Sequence, residues 1–272
     1  MKVAKYHGCG NDFIIVRYED VKDLDISAFS SQVCDRHTGI GGDGCIIVKQ
    51  NPLEMMIYNC DGSYAPMCGN GIRCFAKYCM DEGIETAMHY PVVSGAGVKM
   101  VHRLSDEPFL VQIDMGKPDY HPDKIHVHPD ITSMMGYPLT IEDKTYTLYS
   151  FFMSTIHTVI FTQDANASDN ETIGRAICHH PLFQEQTNVN FVEIVENHTI
   201  RIQTYERGVG MTLACGSGAC ASALMAHKIK GLANDITVEL RKGKLRIEID
   251  EEENVKMSGP ACRTLKGDYH YV

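Results

Sequence analysis

The feature that most constrains this chain is that it repeats itself. Cys68-Gly69-Asn70-Gly71 opens an apolar stretch that runs to Gly83, and Cys215-Gly216-Ser217-Gly218 opens a similar stretch that runs to Gly231. The correspondence extends in both directions. Gly97-Val98-Lys99-Met100 and Gly243-Lys244-Leu245-Arg246 stand 29 and 28 residues after their cysteines, and the segments entered at Asn11-Asp12-Phe13 and Thr155-Ile156-His157 begin 57 and 60 residues before them. Self-similarity of this kind calls for two copies of one structural unit rather than one large domain. The join is expected near Gly116-Lys117-Pro118, with a first half over 1–117, a second over 118–262 and a last strand, 263–272, joining the first.

Within each copy, short runs of β-branched and aromatic residues dominate. Phe13–Val16, Cys45–Val48, Met55–Tyr58, Val98–Val101 and Val111–Met115 read as strands in the first half. Thr145–Phe152, Thr158–Phe161, Phe191–Val195, Thr199–Thr204, Ile236–Leu240 and Lys244–Ile249 do so in the second. Helical patterns are fewer: Ala28–Arg36, Gly69–Met80, Asn170–Cys178 and Gly216–Ile229. Crossover helices between successive strands are mostly missing, so an α+β plan with largely antiparallel sheets fits better than a doubly wound parallel sheet. Ile72, Phe75 and Cys79 mark one buried face of the first repeated helix. The second, Ala219 to Ala226, is small or apolar on all sides, as a helix enclosed by its own sheet would be.

Charge and cysteine content narrow the function classes. The net charge of −10 disfavours nucleic acid and anionic membrane as main partners, because phosphate would be repelled over most of the surface. No apolar run approaches the roughly 18 residues of a membrane span, and the first ten residues lead into no secretory hydrophobic region, so a cytoplasmic protein is expected. The cysteine count is 11, an odd number with no C-x-x-C pair, which argues against a disulfide framework, a zinc knuckle or a thioredoxin-type site. Cys45, Cys60, Cys74, Cys79, Cys178, Cys220 and Cys262 fall in regular segments or apolar runs and read as packing thiols. Cys9 sits in a glycine turn beside Asn11.

Cys68 and Cys215 differ from the rest because each starts a helix. The aligned backbone dipoles favour a thiolate there, which makes a usable base near neutral pH. Gly69-Asn70-Gly71 and Gly216-Ser217-Gly218 leave backbone N–H groups open to an anion, with a carboxylate as the obvious candidate. If the two halves face each other, a carboxylate could be held between two helix ends with a thiol on either side. That arrangement suits removal of the α-proton on one face and its return on the other, which inverts a stereocentre. Two helix N-termini supply the donors for the developing charge without metal or pyridoxal ring. The sulfurs must then be in opposite protonation states and exchange roles at each turnover.

Lys5-Tyr6-His7-Gly8-Cys9-Gly10-Asn11-Asp12-Phe13, Asn59-Cys60-Asp61-Gly62-Ser63, Met67-Cys68-Gly69-Asn70-Gly71-Ile72-Arg73-Cys74, Thr187-Asn188-Val189-Asn190-Phe191, Tyr205-Glu206-Arg207-Gly208 and Ala214-Cys215-Gly216-Ser217-Gly218-Ala219 resemble, in order and over nearly the whole chain, the signatures of the diaminopimelate epimerase family. The resemblance implies two pseudo-symmetric halves, each a largely antiparallel sheet wrapped round a central helix. It also implies cofactor-independent epimerisation with Cys68 and Cys215 as bases, in lysine and peptidoglycan precursor synthesis. By the same resemblance Asn11, Asn59, Asn188, Glu206 and Arg207 hold the amines and distal carboxylate of a small amino-acid substrate. A homodimer is a common assembly for an enzyme of this size and class.

Three departures from the family pattern bear on the substrate. Ser154-Thr155-Ile156-His157 stands where the family shows Gly-Asn-Pro-His, so Thr155 presents a hydroxyl in place of a carboxamide. Met211 replaces a glutamate after Gly210, and Tyr64 replaces one after Ser63. All the proton-transfer residues remain, so the alternative is a racemase of another amino acid, such as histidine. Arg207 still offers a fork suited to a second carboxylate, which favours diaminopimelate.

Other motifs read more plainly. Gly39-Ile40-Gly41-Gly42-Asp43-Gly44 fits G-x-G-x-x-G, but a strand follows where a dinucleotide fold needs a helix, so a turn packed near the site is expected. His121, His126 and His128 lack a further ligand set and read as surface or strand histidines, and no metal is expected. Asp250 to Glu253 reads as a solvated hairpin tip.

Overall fold

The first hairpin shows how the sheet is set. Strands β1 (Lys2–Gly8) and β2 (Asn11–Arg17) pair with Gly8 opposite Asn11, and the two residues between them, Cys9 and Gly10, both have positive φ, 55° and 95°. This is the backbone of a two-residue turn whose twist matches the flanking strands, and it places Asn11 at the mouth of the hairpin. Helices α1 (Tyr18–Val21) and α2 (Ile26–Cys34) then carry the chain to β3 (Gly44–Lys49), which lies parallel to β2. β4 (Glu54–Asn59) returns antiparallel to β3, and β5 (Tyr64–Ala65) to β4. Helix α3 (Gly69–Asp81) leads to β6 (His89–Ser94), parallel to β4, and on to antiparallel β7 (Gly97–Asp106) and β8 (Phe109–Gly116). The chain's last strand, Cys262–Asp268, pairs antiparallel with β1.

The second unit repeats this order. In the computed structural model, which describes residues 1–271, antiparallel β9 (Met135–Ile141), β10 (Lys144–Met153) and β11 (Thr155–Phe161) correspond to the last strand, β1 and β2. Helix α4 (Asn170–Cys178) leads to β12 (Asn188–Glu196), parallel to β11 as β3 is to β2. β13 (Thr199–Glu206) and β14 (Gly210–Thr212) follow antiparallel. Helix α5 (Gly216–Lys230) leads to β15 (Asp235–Leu240), parallel to β13 as β6 is to β4, then to antiparallel β16 (Gly243–Ile249) and to β17 (Val255–Pro260). All other registered pairings are antiparallel, so the architecture is α+β in two topologically equivalent units.

The units are Met1–Asp114 with Ser258–Val272, and Met115–Met257. Both divisions fall within strands, β8 and β17, a few residues before the joins expected at Lys117 and Cys262. Ala28–Arg36 corrects to Ile26–Cys34, because the Asp25 carboxylate accepts from Ala28 N at 3.1 Å and so fixes the start of α2. The glycine-rich loop after α2 closes that helix: Gly39 N donates to Asp35 O, Ile40 N and Gly41 N to Val33 O, and Gly42 N to Cys34 O. A Cβ at Gly39 would lie 2.3 Å from Gln32 O, so the motif serves a helix end, and β3 follows it.

Each unit wraps its sheet round its second long helix. α3 packs on β1 to β4 and the last strand; α5 packs on β10 to β13, β15 and β16. Ile72, Phe75, Ala76 and Cys79 are buried on α3, and fully burying a side chain such as Phe75 contributes about 2–3 kcal/mol. On α5 every residue from Gly218 to Ala226 is buried, and Gly231 at φ 70° ends the helix with its N–H on His227 O. Burial raises the thiol pKa of Cys74 and Cys79, and that of Cys45 to about 12, which keeps them protonated and inert. Cys60 and Cys262 correct the reading of packing thiols: both are exposed, one past the end of β4 and the other at the start of the last strand. His121, His126 and His128 lie exposed beside Asp123, Glu185 and Asp130, and among the described residues no cluster of three or more His, Cys, Asp or Glu could hold a metal. No helix among the described residues is long and apolar enough to cross a membrane.

Candidate active site

Cys68 and Cys215 are N-caps with the same geometry. Each has extended backbone, φ −143° and ψ 120° at Cys68, φ −122° and ψ 111° at Cys215. In each the sulfur accepts from the backbone N–H three residues on, Gly71 N at 3.3 Å and Gly218 N at 3.4 Å. A sulfur in the place normally taken by a serine or aspartate oxygen satisfies one orphan N–H and sits at the positive end of the helix dipole. Negative charge on sulfur is favoured there.

In the first unit, side chains fix the surroundings of Cys68. Arg73, fully buried on α3, donates from Nη1 to Gly69 O at 3.0 Å and from Nη2 to Asn70 Oδ1 at 2.9 Å. Asn70 Nδ2 donates to Asn11 Oδ1 at 2.9 Å, the same oxygen that faces the Cys68 sulfur at 3.9 Å. Asn11 Nδ2 donates to Asp43 Oδ2 at 2.7 Å. Asp43 and Asp12 share Arg36, which pairs with Asp12 through both terminal nitrogens. Burial works against the Asp12 carboxylate, but hydrogen bonds from Arg36 and Lys5 outweigh it and hold its pKa down at about 2. Asn59, at the end of β4, donates to Ser63 Oγ at 2.9 Å. The structure therefore brings Asn11, Gly69 and Asn70 together around Cys68, while Asn59 engages the turn that follows its own strand.

In the second unit, His157 is fully buried on β11 with Nε2 3.0 Å from Ser217 Oγ. Ser217 Oγ lies 3.7 Å from the Cys215 sulfur. Desolvation, with a further contribution from Arg207, lowers the His157 pKa to about 3, so the ring is neutral. Asn188 Oδ1 accepts from Arg207 N at 2.9 Å, Arg207 Nη1 donates to Glu185 O at 3.0 Å, and Glu206 Oε1 accepts from Thr212 Oγ1 at 2.6 Å. Gly216 opens α5, and Thr155 opens β11 half-buried. Met211 packs against the apolar core of this unit; in the first unit Tyr64 stacks edge-on against Tyr58.

Sequence reasoning missed the residues behind these side chains: Asp43 and Arg36 behind Asn11, Arg73 behind Asn70, and Asn190, Thr158 and Thr204 behind His157. Two carried a usable signal. Arg73 lies four residues after Gly69, hence on the same helix face, and Asn190 lies two after Asn188, hence on the same strand face.

The family model described as diaminopimelate epimerase matches residues 3–121 and 150–264. The diaminopimelate epimerase of Alkaliphilus metalliredigens is 39% identical over 275 residues, covering 99% of this chain and 97% of that protein. Among solved structures, a phenazine biosynthesis protein of the PhzF family from Bacillus anthracis superposes with TM-score 0.72 at 12% identity over 100% of this chain and 99% of that one. A probable proline racemase from Agrobacterium radiobacter, with bound carbonate, gives 0.70 at 12% over 99% and 92%. At these identities the likeness to the two structures concerns the fold.

Proposed function

The chain belongs to the diaminopimelate epimerase family, and we propose that it interconverts LL- and meso-diaminopimelate, with Cys68 and Cys215 as the paired acid and base. The observation that carries this reading is the duplicated cap: two cysteine sulfurs, one per unit, each bonded to the third N–H of a buried helix. One sulfur as thiolate takes the α-proton. The other, as thiol, returns a proton to the opposite face of the same carbon, and the states are exchanged for the reverse reaction.

The glycine-rich first turns offer backbone donors to the substrate α-carboxylate, whose charge grows as the proton leaves. No redox change accompanies the exchange, and the protein ends each turnover with one thiolate and one thiol, as it began. Arg207, tethered through Nη1 to Glu185 O, keeps its remaining donors for the distal carboxylate. Two of the three family departures have local roles, since Met211 fills core space and Tyr64 stacks on Tyr58. Thr155 is left as the change that meets the substrate. None of the eleven cysteines is joined in a disulfide, which suits a reducing compartment, and we place the enzyme in the cytoplasm.

The test is α-hydrogen exchange in D2O under reducing conditions with LL- and meso-diaminopimelate, histidine and glutamate, followed by NMR. Exchange is expected with both diaminopimelates. Exchange with histidine alone overturns the substrate, and exchange with none overturns the enzyme reading.

A further inference from the structure

A buried carboxamide behind His157 decides where that ring carries its proton. Asn190 is on β12 and wholly buried, as are His157 and Thr158. Its Nδ2 lies 3.2 Å from the backbone carbonyl of Thr158 and 3.2 Å from His157 Nδ1, and its Oδ1 accepts from Thr204 Oγ1 at 3.0 Å. A carbonyl oxygen can only accept, so the end of the carboxamide that faces Thr158 is the NH2 group. That same NH2 faces Nδ1, which must therefore present a lone pair. In a neutral imidazole the proton is then on Nε2.

With the proton there, Nε2, 3.0 Å from Ser217 Oγ, would donate to it and occupy an acceptor site on that hydroxyl. The Ser217 proton is left to donate elsewhere, and the Cys215 sulfur is 3.7 Å away. With the other tautomer the chain would run backwards: Nε2 would accept the Ser217 proton, and the hydroxyl would turn a lone pair toward the sulfur. The two directions have opposite effects on a thiolate, since a donated hydrogen bond stabilises it and a facing lone pair does not. Gly218 makes the close approach of these groups feasible, because a Cβ there would lie 2.4 Å from Asn190 Oδ1.

We propose that Asn190 is a positioning residue that holds His157 in its Nε2–H form, so that the Ser217 hydroxyl donates to the Cys215 thiolate. Asn190 acts through Thr158, His157 and Ser217 and does not touch the reacting atoms. The proposal rests on Cys215 being one of the two bases, but its first readout does not.

That readout is the 15N spectrum of His157 in the intact enzyme, identified as the signal lost in His157→Gln. A neutral ring protonated on Nε2 at pH 7 is expected, and a ring protonated on Nδ1, or an imidazolium, overturns the proposal. In Asn190→Asp the carboxylate can only accept, so the proton should move to Nδ1. Alkylation of Cys215 by iodoacetamide, read by mass spectrometry of its peptide, should then require higher pH, and kcat should fall roughly tenfold or more with KM nearly unchanged. An unmoved spectrum or alkylation profile overturns the proposal. Should Asn190→Asp fail to fold, Ser217→Ala serves: the His157 spectrum stays Nε2–H while the alkylation profile moves to higher pH, and an unmoved profile again overturns it. Absence of α-hydrogen exchange in the wild type, with His157 protonated as expected, would defeat the epimerase reading and leave the tautomer assignment standing.

Discussion

Arg73 and Asp43 hold opposite ends of one hydrogen-bond chain that passes through Asn70 and Asn11 and orients both carboxamides beside the Cys68 sulfur. A guanidinium only donates and an ionised carboxylate only accepts, so neither amide can turn over without breaking a bond to a charged group. Asn11 Oδ1 is thereby fixed toward the sulfur, where it can receive the S–H of the acid form. Donor and acceptor at the site are set by charges a full residue removed from it.

That relationship predicts the behaviour of Asp43→Asn. A carboxamide at 43 can either donate or accept, so Asn11 is freed to rotate while nothing that contacts the substrate has been removed. We expect kcat for diaminopimelate epimerisation to fall about tenfold, with a loss of stability of about 1–2 kcal/mol from the weakened charged hydrogen bonds. Steady-state rates at saturating substrate, with a urea unfolding curve, check both. Unchanged kcat would show that Asn11 needs no orientation from behind.

The two glycines that donate to the sulfurs should respond unequally to alanine. At Gly71 a Cβ meets Ile57 Cδ1 at 3.0 Å, the far end of a flexible side chain, whereas at Gly218 it meets Asn190 Oδ1 at 2.4 Å, an atom tied to Thr204. Gly71→Ala is expected to cost about 1 kcal/mol. Gly218→Ala should cost about 2–3 kcal/mol or more, because the carboxamide must leave its partners or α5 must shift. Denaturant midpoints of the two variants provide the comparison, and equal losses would contradict it.

How much of this was legible beforehand follows from the range of each interaction. The helices started by Cys68 and Cys215 are written in local signals, a capping residue, glycines and apolar spacing, and Gly69–Asp81 and Gly216–Lys230 form within a residue of where the sequence places them. Short strands such as β5 and β14 carry too few residues to show alternation and exist only because β4 and β13 offer them an edge. The bond of Asn11 to Asp43 joins residues 32 apart, and that of Thr204 to Asn190 joins residues 14 apart. Such pairs depend on strand register, which no local pattern encodes, so the two capping cysteines stand out in the sequence, whereas of the residues behind them only Arg73 and Asn190 are marked by their spacing.

Serine at either cap should abolish interconversion. A hydroxyl keeps the N-cap hydrogen bond, so Cys68→Ser and Cys215→Ser ought to fold with little change in stability. An alcohol is much less acidic than a thiol, however, and the helix dipole supplies too little to make it a base at neutral pH. We expect a loss of at least about 10³-fold in each variant, within the range of general acid–base effects. Full activity in either, measured by interconversion of LL- and meso-diaminopimelate, would remove that cysteine from the mechanism.

The last prediction concerns stability against acid. His157 has a folded-state pKa of about 3, set first by burial, against an ordinary value of 6.5. Between these values the unfolded chain binds a proton that the folded protein does not, so protons favour unfolding in this window. The neutral ring's contribution is fully present above about pH 6.5, declines as pH falls, and has been lost by about pH 3, with a total of roughly 3–5 kcal/mol. Asp12 adds a second, lower window, since its carboxylate is held at about 2 and its stabilisation disappears as pH falls from about 4 toward that value. Replacing His157 by Gln removes the first window only. Unfolding free energies measured from pH 7 to pH 4 should fall less steeply in His157→Gln than in the wild type, by close to one proton's worth of slope, about 1.4 kcal/mol per pH unit. Parallel curves would mean that the ring is already protonated in the folded protein, and the neutral assignment would fail.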